Sequence, residues 1–97
     1  MGRQPMTDEY FSNLGARLAG MALAQGVQID LPAMSPGVAG EILALAGTVA
    51  HTSERKFAPL ATFLTGVAVG RLEAAGRLTS GDEIAVFVSR LKSDLEA

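Results

Sequence analysis

The sequence predicts an all-α protein, a compact four-helix bundle formed as a single helical domain over residues 7–97 behind a disordered tail over residues 1–6. Two observations carry this. Apolar residues recur at helical spacing in four separate segments. Start signals (Thr7, Ser35-Pro36, Ser80) and stop signals (Gly26, Gly76) bracket those segments as helix ends require.

The first helix starts at Thr7, a capping hydroxyl followed by the carboxylates Asp8 and Glu9 at the positive end of the helix dipole. Phe11, Leu14, Leu18, Met21 and Ala22 form its apolar stripe, and Gln25-Gly26 ends it. GVQIDLPAMSPG follows as a connection, since its prolines and glycines break any strand ladder. The alternation of Val27, Ile29 and Leu31 predicts a short extended piece lying on the core.

Helix two begins with Ser35 as cap and Pro36 at the first position, where a missing N–H costs nothing. Val38, Ile42, Leu45 and Val49 give its inner face, widened by Leu43 and Ala46, so this helix is expected to be largely buried. Pro59 disfavours α conformation at Ala58, which places a break between His51 and Ala58 and starts helix three at Pro59. Leu60, Phe63, Leu64, Val67 and Leu72 are its apolar residues, Gly76 its left-handed stop, and Gly66 and Gly70 a pair spaced for close packing by another backbone. Thr62 and Thr65 are expected to bond back to their own helix. Ser80-Gly81-Asp82-Glu83 reads as a capping box for helix four, with Ile84, Phe87, Val88 and Leu91 inward and Arg90, Lys92 and Asp94 outward. Short links favour antiparallel neighbours.

Composition excludes several function classes. The 97 residues carry a net charge of -2, without the basic footprint of a nucleic-acid binder. There is no cysteine, which removes disulfides, thiolate catalysis and Cys-ligated zinc. MGRQPMTDEY lacks a signal-peptide core, and the uncharged run from Phe57 to Gly70 is too short to span a bilayer, so a cytoplasmic chain with no membrane partner is expected. One histidine and scattered carboxylates supply neither a catalytic constellation nor a metal site, so no enzyme, metal or cofactor is expected.

The functional candidate is VAHTSERKFAPLATFLTG, residues 49–66. His51 falls in the last turn of helix two, where carbonyl ends favour a cation. Arg55 and Lys56 stand beside the start of helix three, whose unpaired amides attract anions. Two binding readings result, both using His51, Arg55, Lys56, Pro59, Thr62 and Phe63. The first is a junction that holds a protein partner or a second copy of the chain, a homodimer. The second is a site for an anionic nucleotide or pterin phosphate at the start of helix three. A third reading makes the junction only a well-capped turn.

The run from Ile42 to Arg71 resembles the central segment of a small actinobacterial helical family, domain of unknown function 6457. Ala50, His51, Arg55, Ala58, Pro59, Leu60, Thr62, Phe63, Leu64 and Gly66 carry the resemblance. Its members are found alone or joined to molybdenum-cofactor guanylyltransferase-like domains. The resemblance thus implies an accessory role in molybdopterin guanine dinucleotide synthesis or molybdoenzyme assembly, with a molybdenum-cofactor enzyme as the partner.

Overall fold

The computed structural model describes residues 8–97, in the order α1 (Asp8–Ala24), α2 (Pro36–Thr52), α3 (Phe57–Ala74) and α4 (Gly81–Glu96). The all-α, four-helix reading of the sequence holds, and no strand occurs among the described residues. The expected cap at Thr7 and the tail over residues 1–6 lie outside the described residues. The chain divides into two compact units, Met1–Met34 and Ser35–Ala97.

In the first unit, α1 closes as the sequence predicts. Gly26 takes φ 86°, its N–H donates to the Leu23 carbonyl at 2.8 Å, and Val27 N–H reaches back to Ala22 at 3.1 Å. This is the left-handed cap that only glycine adopts without strain. Residues 27–34 then return across α1, so that a Cβ on the buried Gly15 would collide with the Pro32 carbonyl oxygen. The stripe expected to be inward is only partly so: Phe11 and Ala22 are half-buried, whereas Leu14, Leu18 and Met21 are exposed. Val27, Ile29 and Leu31 are exposed too, which corrects the expectation that they lie on the core.

The second unit is organised around α2. Ser35 caps it, its Oγ accepting from Val38 N–H at 3.2 Å, with Pro36 at the first position as expected. At one end of the unit Ser35 abuts Gly81 at the start of α4; at the other, Thr48 bonds Glu96 at the end of α4. Helices α2 and α4 therefore run parallel, and α3 carries the chain back between them. The helices joined by short links are antiparallel as expected, α3 to α2 and α4 to α3, and the 18 residues of α3 supply the return that sets α4 parallel to α2. Leu45 and Val88 are fully buried, Val49 nearly so, and Ile42, Ala61, Ile84, Phe87 and Leu91 pack around them. All four residues expected inward on α4 are thus found there.

Two expectations for the inner faces are corrected. Leu43 is 62% exposed, since α2 turns it away from both partner helices. On α3, Leu60, Phe63 and Leu64 face outward, while Ala61 packs on the core and Thr65 is 5% exposed. Between Lys56 and Arg71 the helix has no charge to mark its wet side, and small inward residues let it approach α2 closely. Thr65 returns its hydroxyl to the Ala61 carbonyl at 2.8 Å, which satisfies it in the interior.

Helix three starts at Phe57, two residues before the expected Pro59. Pro59 is accommodated because the first turn has N–H groups without helical acceptors, so its missing donor removes nothing. Gly76, at φ 77°, ends α3 by the same device as Gly26 ends α1, with Gly76 N–H to Glu73 at 3.0 Å and Arg77 N–H to Leu72 at 2.8 Å.

Candidate functional site

Residues Ala44, Gly47, Thr48, His51 and Thr52 recur at the spacing that places them on one face of α2. Lys92 and Glu96 lie one turn apart on α4. Because the two helices run parallel, their C-terminal ends meet, and these seven residues line one cleft of about 410 Å³. Small Ala44 and Gly47 leave its wall low. The buried Thr48 donates its hydroxyl to Glu96 Oε2 at 2.8 Å, and Lys92 Nζ stands 4.0 Å from Glu96 Oε1. Thr52 donates to the Thr48 carbonyl at 2.7 Å, so both threonine hydroxyls are committed as donors.

The cleft lies at the C-terminal ends of two helices, which carry partial negative charge, and Glu96 adds a full one. Lys92 answers it. His51 is exposed in the last turn of α2, as its position in the sequence predicts. Among the described residues, no group of three or more His, Asp or Glu side chains is placed to hold a metal ion.

The other candidate residues are distributed along the chain that leaves this cleft. Arg55 and Lys56 are exposed in the link, where Phe57 N–H donates to Glu54 at 2.9 Å and Ala58 N–H to Arg55 at 3.1 Å. Lys56 Nζ lies 3.7 Å from Glu54 Oε1, a solvated pair that contributes little to stability. Pro59 and Thr62 are joined within α3, the Thr62 hydroxyl donating to the Pro59 carbonyl at 3.0 Å. Phe63 stands on the outer face of the same helix. The structure thus separates the candidates into three places: His51 beside α4, Arg55 and Lys56 on the link, and Phe63 with its apolar neighbours on α3.

Gly66 and Gly70 are also on exposed surface, and a Cβ at either would meet nothing within 4 Å. Close packing of these glycines by another helix, expected from their spacing, is not found within the second unit. Thr48, Lys92 and Glu96 were not among the candidates. The shared helical face of Thr48, His51 and Thr52 was readable in the sequence, but the alignment of α4 alongside α2 was not.

No helix among the described residues is long and apolar enough to cross a membrane. No curated protein and no solved structure matches the chain. The resemblance read from residues 42–71 extends over nearly the whole sequence, since the family model for Domain of unknown function (DUF6457) matches residues 4–96, and the chain belongs to that family.

Proposed function

We propose that this chain is a non-catalytic interaction domain that docks a protein partner on the outer face of α3. One observation carries the reading: Leu60, Phe63 and Leu64 are 62%, 70% and 67% exposed on a helix whose residues 57–70 carry no charge. Contiguous exposed apolar surface of this kind marks interaction sites far more often than isolated exposed leucines do. Arg55 and Lys56, just before α3, supply the polar rim that such a surface uses for orientation. The family resemblance implies the partner class, a molybdenum-cofactor enzyme of an actinobacterial cytoplasm, served during molybdopterin guanine dinucleotide synthesis or molybdoenzyme assembly.

The test is photo-cross-linking in an actinobacterial extract, with the photoreactive residue at position 63 or, as a control, at position 43, which is also well exposed. A discrete adduct at 63 and none at 43 is the expected result, and the protein in the adduct, a molybdenum-cofactor enzyme or a second copy of the chain, identifies the occupant. Equal labelling at both positions, or none at either, overturns the docking face. A second reading, an anion site at the start of α3, rests on the exposed Arg55 and Lys56 side chains, since the Phe57 and Ala58 N–H groups are bonded to the Glu54 and Arg55 carbonyls and Pro59 has none. Calorimetric titration with inorganic phosphate and with a guanine nucleotide decides it: measurable heat that Arg55→Ala abolishes supports the site, and no heat removes it.

A further inference from the structure

The outer face of α3 has an internal order that identifies one occupant. Leu60, Phe63, Val67, Gly70 and Ala74 are spaced three, four, three and four residues apart, the seam of a two-helix coiled contact. Leu60 and Phe63 are exposed large side chains, and Val67 is half-buried. Gly70 offers open space where a Cβ would meet nothing within 4 Å. We infer that α3 pairs with α3 of a second copy of this chain, antiparallel about a two-fold axis at the level of Thr65. This rests on the reading of the face as a docking surface and puts a second copy of the chain, in place of a foreign enzyme, as its occupant.

Three arguments favour a second copy. The first is self-complementarity, which a two-fold contact requires. An antiparallel crossing at residue 65 places Leu60 in the same layer as Gly70 of the other copy, and Phe63 in the same layer as its Val67. Each large side chain meets a smaller one, twice over. A parallel crossing would instead place Leu60 on Leu60 and Gly70 on Gly70, crowding one layer and emptying another. The second argument is charge: with none between Lys56 and Arg71, nothing on this face repels its own copy or selects an acidic or basic partner. Area is the third. Leu60, Phe63 and the adjoining Leu64, at 62%, 70% and 67% exposed, leave on the order of 400 Å² of apolar surface in water, about half of the ~800 Å² per partner that a standard stable interface buries.

The chain contains no cysteine, so single cysteines report the pairing without background. Sedimentation equilibrium of the full chain from micromolar to millimolar concentration is expected to show a monomer–dimer equilibrium. Leu60→Glu should weaken it at least a hundredfold. Gly70→Leu should weaken it at least tenfold by crowding Leu60 of the other copy, while the melting temperature of the monomer is unchanged or raised, because position 70 is open within the chain. That opposition of signs separates lost docking from lost folding. Oxidising a mixture of Leu60→Cys and Gly70→Cys chains should give the mixed 60–70 disulfide ahead of either homodimeric one. A monomer at every concentration, an association unmoved by Gly70→Leu, or preferential 60–60 linkage overturns the inference. The extract cross-link at position 63 is independent of these results: a monomeric chain that still gives a discrete foreign adduct there loses the homodimer and keeps the docking face.

Discussion

Thr48 on α2 and Glu96 on α4, 48 residues apart in sequence, are joined by a hydroxyl-to-carboxylate hydrogen bond of 2.8 Å. With Ser35 beside Gly81 at the opposite end, it fixes the parallel direction of α4. A charge-assisted bond of this kind, with a buried donor, is worth about 1.5–3 kcal/mol when buried and about 1 kcal/mol where the carboxylate reaches water. Thr48→Val, which keeps the shape and loses the hydroxyl, is expected to cost about 1 kcal/mol in urea unfolding.

Leu45 and Leu43 are neighbours on α2 with opposite fates, one fully buried and the other 62% exposed. Leu45→Ala should destabilise by about 2–5 kcal/mol through lost burial and a cavity. The same change at Leu43 should stay within about 0.5 kcal/mol. Comparable losses at the two positions would contradict the orientation of α2.

At the start of α4, Ser80 Oγ accepts from Glu83 N–H at 3.2 Å, and Glu83 Oε1 accepts from the Thr79 N–H at 2.7 Å and the Thr79 hydroxyl at 2.8 Å. The carboxylate therefore reaches one residue beyond the cap that the sequence pattern implies. The Thr79 N–H first, and its hydroxyl second, hold the Glu83 carboxyl below its ordinary value. A depressed carboxyl stabilises the fold above its unfolded pKa and loses that contribution as pH falls through the folded one. The melting temperature of Glu83→Gln should thus converge on that of the parent below the ordinary carboxylate range and fall behind it above. Ser80→Ala should cost about 1 kcal/mol at neutral pH.

Two helical glycines predict opposite signs. Gly40 is exposed with open space around it, so Gly40→Ala should stabilise by about 0.5–1 kcal/mol through helix propensity. Gly15 lies under the Pro32 carbonyl, and Gly15→Ala should destabilise the first unit by about 1–3 kcal/mol as the return of residues 27–34 is displaced. Thermal melts of the two single variants decide both.

His51 and Arg55 are exposed, so the His51→Ala/Arg55→Ala double variant should melt within about 0.5 kcal/mol of the parent. A larger loss would favour the reading of the junction as a structural turn.

How much of this was legible differs by level. Helix ends were written locally: Ser35, Ser80, Gly26 and Gly76 each act through bonds to residues a few positions away, and the structure places all four as the sequence implies. The inner face of α4 was legible as well, because Arg90 and Asp94 mark its wet side. Helix α3 offers no such contrast, and its inward face was settled by which residues are small enough to approach α2, a property of the pair rather than of the helix. The cleft of Thr48, His51, Lys92 and Glu96 depends on the alignment of two helices separated by a third, which no short window of sequence contains.

Helix α3 divides its work between two sides, with Ala61 and Thr65 committed to α2 and Leu60, Phe63 and Leu64 left outside. The two sets share no side chain, so substitutions on one are nearly invisible to the other. What the outer residues bind is therefore decoupled from the stability of the scaffold that presents them.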